Sequence, residues 1–102
     1  MSTRTIWKFT VPVADSQTIR IKGAEFVEFL DAKMSPSGDH EIDLWAIVDS
    51  HSSLDSYAVV EMRGTGHPLH DERLAGSFKE AHIATLADGG LIWHVFQGWL
   101  RS

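Results

Sequence analysis

Short runs of alternating apolar and polar residues make up most of the chain, separated by turn-forming residues. Residues 6–13 put Trp7, Phe9, Val11 and Val13 on one face, the period of a half-buried strand. Pro12 carries no backbone donor, so this strand belongs at a sheet edge or near its own end. Ala14-Asp15-Ser16-Gln17 has turn chemistry, residues 18–22 alternate again, and Gly23 closes that strand. Residues 24–30 fit no single period: Phe26, Phe29 and Leu30 suit a helical face, whereas Phe26, Glu28 and Leu30 alternate poorly. Residues 35–39 form a loop by composition, and a strand follows over residues 41–49. Its run Leu44-Trp45-Ala46-Ile47-Val48 suits a strand buried on both faces, or one with a face in the core and a face against a partner.

A second loop at residues 50–55 leads to a strand over residues 57–63, which must stop at Gly64-Thr65-Gly66-His67-Pro68. Residues 69–77 are polar and have room for one helical turn. Residues 80–86 and 91–96 read as strands around the hairpin turn Asp88-Gly89-Gly90. Residues 97–102 form a tail whose Trp99 and Leu100 need cover from the domain or a neighbour. The pattern predicts an all-β chain of six to seven strands, an antiparallel β-sandwich or a small, partly open barrel. At 102 residues it makes one β domain over residues 1–102.

Composition narrows the function. There is no cysteine, which excludes disulfides, thiolate catalysis and cysteine-ligated metal centres. The longest apolar runs are about five residues, against the roughly twenty a membrane-spanning helix needs. The first residues carry no apolar segment of signal-peptide type, so a cytoplasmic protein is expected, with no membrane partner. The net charge is −5 and the nine basic residues are scattered, with no stripe to grip a polynucleotide backbone. A small anion needs only a few backbone N–H groups and one or two cations, which net charge does not report.

The segment around Gly64 and Gly66 carries the most chemistry. Glycines after a strand let the backbone approach a ligand closely, and consecutive amides can cradle an anion. Thr65 adds a hydroxyl, and Arg63 or His67 a charge. The same residues also serve as a turn that merely reverses the chain. A dinucleotide-binding fingerprint is rejected, because the third glycine is missing and Pro68 sits where the helix would begin. His67, His70 and Asp71 have loose metal-ligand spacing, stiffened by Pro68, and no metal or other cofactor is expected. No G-x-S-x-G or H-E-x-x-H occurs, so no catalytic residue is assigned and a non-enzymatic role is expected. Four tryptophans are many for this length; they fill the core, or line an interface or a ligand pocket.

Ile6-Trp7-Lys8-Phe9-Thr10-Val11-Pro12-Val13, Leu44-Trp45-Ala46-Ile47-Val48-Asp49, Gly64-Thr65-Gly66-His67-Pro68 and Gly90-Leu91-Ile92-Trp93-His94-Val95-Phe96 together resemble a family of small proteins common in bacteriophage genomes. The resemblance runs over nearly the whole chain, with the GTGHP and WHVF blocks its most specific parts. It implies that residues 24–30 are a strand. It departs at residues 33–40, where this loop is longer, and at the extra Trp99-Leu100. Small all-β phage proteins are in turn similar to anti-CBASS sponges, which bind cyclic dinucleotide immune signals between subunits without cleaving them. That likeness implies an immune-evasion protein in the cytoplasm of the infected bacterial host, working as a dimer or tetramer. Gly64, Thr65, Gly66 and His67, with Arg63 nearby, would contact phosphate or ribose. Trp45, Trp7 or Trp93 would stack a base. Two other classes remain open: an inhibitor that meets a basic host protein through its acidic surface, and a virion accessory protein.

Overall fold

A computed structural model describes residues 3–50 and 54–99. Seven strands form in the described residues: β1 (Arg4–Pro12), β2 (Ser16–Ile21), β3 (Glu25–Met34), β4 (Glu41–Asp49), β5 (Ser56–Gly64), β6 (His82–Asp88) and β7 (Leu91–Gly98). They make two antiparallel sheets, ordered β1-β4-β3 and β2-β5-β7-β6, so the domain is a sandwich and not a closed barrel. β1 is an edge strand, and Pro12 is its last residue, which is where a missing donor costs least.

Alternation explains which faces meet. In β4, Ile42, Leu44, Ala46 and Val48 are buried, while Trp45 and Ile47 lie on the opposite face, half-buried. The apolar run in β4 is therefore one core face and one outer face. Facing it from the second sheet are Ile19 and Ile21 of β2, Ala58, Val60 and Met62 of β5, and Val95 of β7. Trp7, Phe9 and Val11 pack against this core from β1.

β3 settles the segment that periodicity left open. It pairs with β4 through Phe26↔Val48, Glu28↔Ile47, Phe29↔Ala46, Asp31↔Trp45 and Ala32↔Leu44, with register shifts between Phe26 and Glu28 and between Phe29 and Asp31. Each bulge inserts one extra residue, so inward positions recur every third residue and imitate a helical spacing. Phe26 and Phe29 meet with ring centroids 4.8 Å apart.

Several boundaries differ from the sequence pattern. Ser16 and Gln17, expected in a turn, open β2, paired with Glu61 and Val60. Glu80 and Ala81 belong to a short helix, α1 (Phe78–Ala81), and not to the following strand. Ser77 caps that helix reciprocally with Glu80, a box spelled by Ser77-Phe78-Lys79-Glu80. The expected tail begins two residues too early, because β7 runs on through Gln97 and Gly98, paired with Val60 and Val59. The helical turn expected within residues 69–77 is a 3₁₀ turn at Asp71–Arg73.

Part of the outer face of the four-stranded sheet is covered by the chain itself. Leu74 and Ala81, from the segment between β5 and β6, bury Phe96 of β7, with Leu69 alongside. The backbone around Leu74 runs beside the end of β7, where Ala75 donates to the Gln97 carbonyl and Trp99 to that of Arg73.

Candidate functional site

The site grows from the end of β5. The chain turns at Gly64–His67, closed by the His67 N–H on the Gly64 carbonyl at 3.0 Å. Gly66 holds φ at +91°, a conformation that L side chains rarely adopt. Gly64 serves differently. A Cβ there would sit 3.3 Å from the His67 ring and 3.8 Å from the edge of Trp93, so its bare backbone makes room for the imidazole. The Thr65 N–H donates to the Ile92 carbonyl at 3.3 Å. Two amides of the expected anion cradle, those of Thr65 and His67, are thus already donated within the chain.

Arg63 is committed as well. Its guanidinium donates to the carbonyls of Pro68 (3.0 Å), Met62 (2.8 Å) and Asp15, and to the Glu61 carboxylate at 3.1 Å. One side chain thereby ties the turn, the β1–β2 connection and β5 together. Glu61 is only 1% exposed, on the outer face of β5. The Ser16 hydroxyl also donates to it, as the β2–β5 register sets Ser16 opposite Glu61. A second cation, Arg73, approaches Glu61 only to 3.8 Å and leaves 47% of its side chain exposed. Arg63 is 14% exposed. Arg73 is therefore the arginine of this pair that is open to a ligand.

Three concavities meet here. A cleft of about 480 Å³ is lined by Asp15, Ser16, Arg63, His67, Pro68, His70 and Arg73. Beside it a smaller hollow of about 140 Å³ lies over Glu61, with Thr18, Arg73 and the 57% exposed Trp99 on its walls. On the far side of the turn, a groove of about 250 Å³ runs between Gly64, Thr65 and His67 and the strip from Gly90 to Trp93. His67 borders both the cleft and the groove. The cleft bears two arginines and two histidines against Asp15, with Glu61 next door in the smaller hollow, whereas the groove is mainly apolar.

Next to the turn lies a chain of hydrogen bonds. Thr65 Oγ1 is 2.7 Å from His94 Nε2, His94 Nδ1 is 3.3 Å from Thr85 Oγ1, and Thr85 Oγ1 is 2.9 Å from His82 Nε2. Each hydroxyl can donate one proton and accept others, so the tautomers of the two histidines decide whether Thr65 presents a donor or an acceptor outward. Hairpin arithmetic holds the signal for part of this: a two-residue loop pairing Asp88 with Leu91 also pairs Thr85 with His94.

The structure gathers Arg63, Gly64, Thr65, Gly66, His67 and Trp93 around one turn. Trp45 lies on the outer face of the other sheet, and Trp7 packs toward the core, 6.5 Å from the Phe9 ring; neither lines these cavities. Ser16, Glu61, His70 and Arg73 complete the site. Ser16, Glu61 and Arg73 carry no local signal for it because they come from three separate segments, and His70 shows only the loose metal-ligand spacing it shares with His67 and Asp71. His67 and His70 share the cleft, and no group of three His, Asp or Glu side chains among the described residues is placed to hold a metal ion. Leu100 lies outside the described residues, as does His51 of the loop before β5.

These features define a small two-sheet β-sandwich with an arginine-bearing cleft at one end of its four-stranded sheet. The chain belongs to the family described as a domain of unknown function, DUF7352, whose model matches residues 2–101. No curated protein and no solved structure matches it. No helix among the described residues is long and apolar enough to cross a membrane.

Proposed function

We propose that the protein binds and sequesters a small anionic nucleotide signal of the cyclic oligonucleotide class without cleaving it, serving a phage that evades host defence. One observation carries the reading: His67 stands between a cleft ending on the half-exposed Arg73 and an apolar groove ending on Trp93. Phosphate and base need those two environments side by side. Arg73 would take a phosphate oxygen through charge-assisted bonds, helped by His70. A base would lie along Trp93 and Ile92, where stacking on an aromatic contributes roughly 1–3 kcal/mol. A cleft of about 480 Å³ is within the usual range for small-molecule sites.

The test is a thermal-shift panel of cyclic di- and trinucleotides, followed by chromatography of the released ligand. A ligand at a hundred times its dissociation constant adds about 2.7 kcal/mol of stability. The reading expects one such ligand, recovered intact, and its loss in Arg73→Ala with the fold preserved. Absence of any stabilisation, a cleaved product, or full binding by Arg73→Ala would each defeat it.

A further inference from the structure

The two outer faces of the sandwich are finished differently. Leu74 and Ala81 cover the four-stranded sheet around Phe96, whereas no described segment packs over the outer face of β1-β4-β3. Trp45 sits at the middle of that bare face, with Ile47 one pair along the strand. Ile6 (58% exposed) and Leu30 (45% exposed) flank them on β1 and β3. Large apolar side chains gathered on an uncovered sheet mark an interaction surface.

Strand register shows what would fit it. Across the sheet, Trp45 is opposite Lys8 on β1 and opposite Asp31 on β3. Both are exposed, and neither takes part in an ion pair among the described residues. The central row therefore reads positive, aromatic, negative. A two-fold axis in the plane of the face and parallel to β4 turns this row over onto itself. It then sets Lys8 against the partner copy's Asp31, and Asp31 against the partner copy's Lys8. The Trp45 and Ile47 side chains meet their own counterparts along the axis, as does Asp43, whose carboxylate accepts from the Thr10 hydroxyl at 2.7 Å and lies opposite Lys33. An axis across the strands through Trp45 would set Lys8 against Lys8 and Asp31 against Asp31, so the central row favours the first arrangement.

We infer that a second copy of this chain docks here, the two three-stranded sheets meeting face to face about an axis along β4. Three strands about 4.8 Å apart and roughly 30 Å long give a plan area near 400 Å². Side-chain relief raises the accessible area, so pairing two such faces buries on the order of 1,000 Å², the lower end for a specific interface. The dimer should form in the micromolar range. This inference rests on the sheet's register and is independent of the nucleotide reading, whose cleft lies at the other sheet.

Sedimentation or light scattering across tens of micromolar protein tests it. The expected result is a mass of two chains. Lys8→Glu and Asp31→Lys should each raise the dissociation constant roughly tenfold or more, because each contact occurs twice and reversal replaces attraction with repulsion. The double variant, which restores opposite charges across the axis, should recover the dimer, while circular dichroism shows all three variants folded. A single-chain mass throughout would overturn the proposal. So would a dimer indifferent to both charge reversals, or a monomer that uses this face to hold a different protein.

Discussion

Gly98 shows how one missing side chain shapes the site. A Cβ at that position would come within 2.7 Å of a Val59 methyl and 3.1 Å of the Arg73 carbonyl. The segment carrying Arg73 can lie against β7 only because residue 98 has nothing to present. Gly98→Ala should cost about 1–3 kcal/mol by overpacking, seen as a lower denaturation midpoint at unchanged slope; an unaltered midpoint would show that the Arg73 segment simply lifts away. The two arginines separate by the same logic. Arg63→Ala leaves the buried Glu61 without its main partner and should destabilise by about 3 kcal/mol or more. Arg73→Ala removes a half-exposed contact, for which about 1 kcal/mol or less is expected. Equilibrium unfolding of both variants checks the split, and equal losses would mean that Arg73, too, is structural.

Between elements, short polar bridges fix the turns that the core does not reach. Asp55, just before β5, takes two bonds from the Arg20 guanidinium and one from the Gly23 N–H, pinning the β2–β3 turn. The Arg20 bond first, and the Gly23 amide second, hold the Asp55 carboxyl below its ordinary value of 3.8. A carboxylate lowered by folding contributes stability that is complete above its unfolded value and is lost as pH falls through the folded one. The turn should therefore stay closed at neutral pH and loosen only below pH 3.8. The Gly23 amide chemical shift, followed by NMR through acid, should titrate with a midpoint under that value; a midpoint above it would contradict the bridge. Contacts with the Ser77 hydroxyl, then its amide, likewise hold Glu80 below the usual range, so the α1 cap should withstand mild acid.

Legibility also divides at this scale. β1 and β2 show in the sequence because one face of each is buried and the period survives, while β4, β5 and β7 show as apolar runs bounded by turn residues. β3 does not, since its two bulges add residues that shift the apolar positions from every second to every third. The turn at Gly64–His67 is visible because its chemistry is local. The Ser16–Glu61–Arg73 grouping is invisible, because it depends on the β2–β5 register and on a bridge between Leu74 and Gly98. No window of sequence contains those distances.

At the scale of the whole molecule, the pairing of distant segments governs both folding and the site. Arg4 pairs with Asp49 and Ser16 with Glu61, so two of the main ladders close long loops before any contact offsets the lost entropy. The β3–β4 and β6–β7 hairpins are the local exceptions. Chains dominated by such non-local pairings fold in roughly milliseconds to seconds, slower than helical domains. The cleft inherits this dependence. Its walls come from the β1–β2 connection, the end of β5 and the segment around Arg73, joined by the Arg63 guanidinium. None of these pieces holds its position without the others, so no partly folded form should present the cleft. Bound ligand should then raise the entire unfolding transition as one step, with amides of β5 and β7 gaining the same protection as those of the turn. Hydrogen exchange with and without ligand makes the comparison, and protection confined to residues 64–68 would mean that the turn binds alone and the sandwich only carries it.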